Sequence, residues 1–137
     1  MIRRATEADI PAIVEMGAEF HEFGPYRDIP YDPEATGAFV GGVIHAGAVF
    51  IHDQGMIGGC LVPLYFNPRH FIASELFWWA KRDGRGLLRA FEGWARETGA
   101  RAVTLSALET DRVNLTAKLF ERLGYQRREI GFLKEFA

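Results

Sequence analysis

The stretch Glu75-Leu76-Phe77-Trp78-Trp79-Ala80-Lys81-Arg82-Asp83-Gly84-Arg85-Gly86-Leu87-Leu88 decides the fold class. Its first half is apolar and aromatic, the composition of a strand, and the run from Phe71 to Ala80 reads as one. A basic glycine turn follows. From Leu87 the apolar period becomes helical, with Leu87, Leu88, Phe91, Trp94 and Ala95 on one stripe that ends near Gly99. A helix start presents unpaired N–H groups and a partial positive charge, so a strand–turn–helix junction of this kind suits a phosphate. Arg82 and Arg85 add charge-assisted donors there. The same residues also make a plain glycine turn with solvated charges, and taken alone the motif does not separate the two. It is not a P-loop, because no Gly-Lys-Ser/Thr follows, and it lacks the third glycine of a dinucleotide fingerprint.

Upstream, Thr6 with Asp9 three residues on reads as a helix N-cap, and Ile10, Ile13, Val14 and Gly17 recur at helical spacing. Phe23 to Pro33 holds three prolines among turn residues and reads as a long loop, either a surface connection or a wall of a binding site. Pro33 to about Val43 follows as a short helix weakened by three glycines. Ala48–His52 and Met56–Phe66 read as strands of a hairpin turning at Asp53-Gln54-Gly55. Downstream, Ala102–Leu105 is a short strand. Leu115, Leu119, Phe120 and Leu123 mark a helix stopped by Gly124. Gln126 to Phe136 is expected as a closing strand. The predicted order is β-α-α-β-β-β-α-β-α-β, an α/β (α+β) fold with a mixed, mostly antiparallel sheet flanked by helices.

The 137 residues suit one domain, spanning 1–137, with 16 Lys and Arg against 18 Asp and Glu. A net charge of −2 offers no whole-chain footprint for nucleic acid or an anionic membrane, so neither is expected as a partner. The single cysteine, Cys60, excludes an internal disulfide and a cysteine-rich zinc site. Four histidines without ligand spacing predict no metal. The start of the chain lacks the apolar run of a signal peptide, and a cytoplasmic location is expected. Eleven Phe and three Trp suggest an exposed apolar face and a homodimer.

Three segments together resemble the GNAT superfamily of acetyl-CoA-dependent N-acetyltransferases. Ile2 to Ile13 resembles its first strand and helix, and Glu75 to Leu87 its fourth strand and pyrophosphate loop. Asn114-Leu115-Thr116-Ala117-Lys118-Leu119-Phe120-Glu121-Arg122-Leu123-Gly124-Tyr125 resembles its late helix. The resemblance covers essentially the whole chain. It implies acetyl-CoA as cofactor and direct attack of a primary amine on the thioester. The acceptor would be a small molecule or a peptide. By resemblance, the backbone of Trp78, Trp79 and Ala80 holds the pantetheine arm. Amides around Gly84, Arg85, Gly86 and Leu87, with Arg82 alongside, hold the pyrophosphate, and Asn114 touches the pantetheine or sulfur region. Glu75 is the expected base, because a carboxylate in an apolar strand gains basicity by desolvation. Tyr26 and Tyr31 of the proline-rich loop are expected to shape the acceptor pocket.

The sequence departs from the family pattern at three points. Lys81 stands where Gln or Arg is common, the turn is shortened before its first glycine, and Phe120 replaces a tyrosine that protonates the leaving thiolate. These departures keep a second reading open, a non-catalytic GNAT-fold binding module with a degenerate cofactor loop.

Overall fold

The computed structural model describes residues 1–136. The chain forms two compact units, Met1–Ser106 and Ala107–Ala137. Among the described residues no helix is long and apolar enough to cross a membrane.

The first unit is built on one sheet of five strands in sequence order. These are β1 (Arg3–Arg4), β2 (Ala48–His52), β3 (Gly55–Leu64), β4 (Asn67–Ala80) and β5 (Ala102–Thr104). The first four are antiparallel neighbours, and β5 joins β4 in parallel. Three helices lie in this unit: α1 (Ile10–Phe23), α2 (Pro33–Ala46) and α3 (Gly84–Glu97). A short 3-10 turn, Glu7–Asp9, leads into α1. There the Thr6 N–H donates to Asp9 Oδ2 at 2.8 Å, while Arg3 grips both Asp9 oxygens at 2.6 and 2.8 Å. The Arg3 hydrogen bond holds the Asp9 carboxyl well below the usual range. Pro11 sits in the first turn of α1, where no N–H is needed.

Alternation along the strands divides the apolar residues between two faces. Val49, Ile51 and Met56 cluster with Ile13 of α1 and Val40 and Val43 of α2, and Phe77 and Trp79 lean on the same cluster. The other face takes α3, whose Leu87, Leu88 and Phe91 are almost wholly buried. Leu87 reaches over Gly55 and Phe91 over Gly59. The glycines that weaken α2 on paper are its contact with α1: Gly37 and Gly41 lie over Ile10, and the helix runs on to Ala46.

β4 is longer than its sequence suggests, because Tyr65 and Phe66 form the tip of a β3–β4 hairpin. Its ladder with β3 slips between Gly58 and Gly59: Gly58 faces Phe77, while Gly59 faces Glu75. Leu76 is therefore the extra residue of a β-bulge. The ladder with β5 covers only Ile72 to Ser74 and ends at the pair Ser74–Thr104. From Glu75 to Ala80, β4 has no strand partner on that edge among the described residues.

The second unit contains α4 (Val113–Arg122). Gly124 follows it with φ +94°, and the Gly124 N–H donates to the Glu121 carbonyl. The Tyr125 N–H donates to the Phe120 carbonyl, and the two rings lie 6.3 Å apart. This is a Schellman stop with its apolar contact, so Phe-x-x-Leu-Gly-Tyr has a complete local explanation. The expected closing strand does not form. Residues 125–136 carry no strand, and Phe132 and Phe136 are about nine-tenths exposed. A strand exists only with a ladder partner, and Gly131 together with two charged clusters weakens this segment further.

Candidate active site

Glu75 sits where β4 and β5 part. One residue past the end of their ladder, its Oε1 accepts the Ser106 N–H at 3.2 Å across the opening. Burial pushes the carboxyl up to about 7 from an ordinary 4.5, and the Ser106 hydrogen bond only partly opposes this. Such a carboxyl is half ionised near neutral pH, as a general base requires. Trp78, Trp79 and Ala80 continue along β4 past the end of the β5 ladder, with side chains alternating between the two faces. Trp79 leans toward α1 with its ring 6.5 Å from Phe20, and Trp78 lies against the start of α3 at Gly84.

The turn from β4 into α3 has three residues, Lys81 to Asp83, and each is engaged. Lys81 Nζ pairs with Glu19 at 2.7 Å and lies over the Trp79 ring. The Arg82 guanidinium pairs with Asp53. Asp83 adopts a left-handed conformation, φ 49° and ψ 45°, and its Oδ1 accepts the Gly86 N–H at 3.0 Å. The turn is clamped from beneath by His52, a buried residue that the sequence did not single out. Its Nδ1 accepts the Gln54 N–H at 3.0 Å, so its Nε2 donates to the Arg82 carbonyl at 2.8 Å. Only the pairing of the hairpin turn with the helix start reveals that role.

Acetyl-CoA, which the resemblance implies, meets two different surroundings here. Past Ser74 the β5 ladder has ended, and the backbone of β4 there is where a pantetheine arm would have to pair. The start of α3 does not suit the diphosphate as it stands. The Gly86 amide is already bonded, and a Cβ at Gly86 would meet Asp83 Oδ2 at 2.5 Å and Ile2 Cδ1 at 2.6 Å. Gly86 and Leu87 are buried, whereas Arg85 is exposed. The Leu87 N–H points back to the Asp83 carbonyl at 3.4 Å.

Tyr26 and Tyr31 line a recess of about 370 Å³ with His21, Ile29 and Phe39, between the end of α1 and the start of α2. The two tyrosines differ. Tyr26 is half exposed, whereas the Tyr31 hydroxyl donates to the Val14 carbonyl at 2.7 Å and rests on Gly17. His21 Nε2 donates to the Ile29 carbonyl at 2.7 Å, holding the loop closed on the helix. Asn114 lies exposed in the first turn of α4, in the second unit. The bulge residue Leu76 also went unmarked in the sequence, since a bulge depends on the register with β3.

No protein-family model matches the chain, and no curated protein matches it closely. Solved structures match over its whole length. A probable acetyltransferase aligns with 14% identity and a TM-score of 0.76, over 100% of this chain and 98% of that one. The chain has the GNAT fold. A predicted acetyltransferase from Clostridium acetobutylicum, solved with acetyl-CoA, shares that fold at 14% identity and a TM-score of 0.71. It is matched over 95% of its length and 98% of this chain. The AAC(6')-Iy structure, solved with the bisubstrate analog CoA-S-monomethyl-acetylneamine, aligns at 13% identity with a TM-score of 0.72, over 100% of this chain and 98% of that one. At these identities the likeness is one of fold.

Proposed function

We propose that the protein transfers an acetyl group from a pantetheine thioester to a primary amine. Glu75 carries this reading: a carboxyl pushed up to about 7 stands at the opening between β4 and β5 of a GNAT fold. The neutral amine attacks the thioester carbonyl carbon, a C–N bond forms, and the C–S bond breaks with its electron pair on sulfur. Glu75 takes the amine proton, directly or through one water. Solvent protonates the thiolate, since Phe120 has no proton to give. Leu76, outside the ladder, supplies a backbone amide for the developing oxyanion. The edge of Trp78, Trp79 and Ala80 holds the arm by main-chain hydrogen bonds, so the protein's largest contribution is alignment. Tyr26 and the recess around it form a wall for the acceptor. The acetyl-CoA and bisubstrate complexes of the two similar structures support this assignment of donor and acceptor classes.

The test is thiol release from acetyl-CoA and from acetyl-pantetheine against a panel of polyamines, amino acids, aminoglycosides and peptides. Turnover with one amine class, lost in Glu75→Gln, is the expected result. No amine-dependent thiol release from either thioester would overturn it. A second reading is a non-catalytic binding module, favoured by the Asp83 carboxylate in the helix start and by Phe120. Under that reading neither CoA nor pantetheine binds in calorimetric titrations.

A further inference from the structure

We propose that Asp83 selects the donor: its carboxylate occupies the start of α3, so the protein favours an acyl-pantetheine thioester that lacks a diphosphate over acetyl-CoA. The proposal rests on the thioester-transfer reading above and adds the class of donor.

The physical argument concerns the anion capacity of one helix end. The partial positive charge at the start of α3 and its first amides are what would attract a phosphate. Asp83 already takes up one of them, with its Oδ1 on the Gly86 N–H, and brings its own negative charge to that end. A diphosphate there would face a like charge at contact distance and would have to displace the carboxylate. Two of the three cations of the turn and first helical residues are already engaged, Lys81 with Glu19 and Arg82 with Asp53, while Arg85 is exposed. Nor can the turn swing aside cheaply. The Arg82 carbonyl is held by His52, the Lys81 N–H by the Gln54 carbonyl, and Ile2 fills the space over Gly86. Leu76 to Ala80, the part of β4 past Glu75, carry no acidic side chain. Rejection by a misplaced like charge is a common route to specificity, since it penalises one ligand without touching the other.

The shared chemistry is a pantetheine thioester, free or attached to a carrier protein. The first experiment titrates CoA and pantetheine separately into the full chain, wild type and Asp83→Asn, by calorimetry. Asn caps a helix as well as Asp and tolerates the left-handed conformation, so the variant keeps the turn without the charge. Asp83→Ser serves as a second neutral cap. Wild type should bind CoA no more tightly than pantetheine, and both variants should shift the CoA-to-pantetheine affinity ratio toward CoA by about tenfold. A matching titration with a holo-carrier protein separates the two sources: tighter binding than free pantetheine points to the carrier. CoA binding to wild type tenfold or more above pantetheine would overturn the proposal and leave the proposed function standing. A ratio unmoved in both variants would do the same. If neither compound binds any of the three proteins, both readings fall.

Discussion

β4 and the turn that follows it carry two carboxylates, Glu75 and Asp83, and the contrast between them is instructive. Glu75 and Asp83 each accept one backbone N–H, from Ser106 and Gly86 respectively. Glu75 does so in a partly buried opening between strands, where desolvation pushes its carboxyl up to about 7. Asp83 does so on the exposed surface at the positive end of a helix. The same chemical group is a base in one setting and a cap in the other. Environment assigns the role, because burial strips water from the Glu75 carboxyl, whereas the start of α3 gives the Asp83 carboxyl a backbone amide to cap.

The largest effect expected from breaking this comparison is on turnover. Glu75→Gln should lower kcat/KM for amine acetylation by about a hundredfold or more. In wild type, kcat/KM should rise with pH through about 7 as Glu75 ionises, and the variant should lose that limb. A pH–rate profile flat across neutral pH in wild type would remove Glu75 from the mechanism. The linkage to stability has a definite sign. Between about pH 4.5 and 7 folded Glu75 keeps a proton that the unfolded chain releases, so its contribution to stability falls as pH rises through that window. Melting curves at pH 5 and 8 should therefore show a larger loss of Tm for wild type than for Glu75→Gln.

Next in size is the packing beneath the strand pair that carries Glu75. Phe91 is fully buried under Gly59, the residue opposite Glu75. Phe91→Ala should cost about 3–5 kcal/mol in urea unfolding. Gly59→Ala sharpens the comparison further, because the new methyl would press on the Ser74 carbonyl and the Phe91 ring beside the bulge. About 1–3 kcal/mol of destabilisation is expected, with the acid limb of the rate profile displaced.

Removing the cap has a smaller effect. Asp83→Ala should cost about 1 kcal/mol, while Asp83→Asn stays near wild type in the same unfolding measurement. Equal losses for the two variants would mean that the charge, rather than the cap, stabilises the turn. Smallest of all, Lys81→Ala breaks an exposed pair with Glu19 and should change stability by less than about 1 kcal/mol.

Much of this was legible in the chain itself. The stripe Leu87, Leu88, Phe91, Trp94, Ala95 specified α3, and the hairpin at Asp53-Gln54 and the Gly124 stop followed from turn chemistry. These are local signals, set by periodicity and backbone preference within a few residues. Glu75 could be marked as a carboxylate in an apolar strand for the same reason. Its poise could not be read there, because it depends on where the β4–β5 ladder ends and on an amide 31 residues away. The closing strand expected at 126–136 does not form, because a strand needs a ladder partner that local sequence cannot supply. His52 carried no signal beyond the absence of metal-ligand spacing, because its role depends on the helix turn that the fold sets on top of it.

The sequence by itself determined most of the helices and strands, and that a carboxylate and a basic glycine turn lie within and just after one β-run. Tertiary structure alone decided what they do. Register set the bulge at Leu76 and opened the edge at Glu75, and the three-residue turn brought Asp83 onto the helix start. Hydrogen bonding and desolvation are properties of neighbours, and these neighbours are brought together by folding rather than by adjacency in the chain.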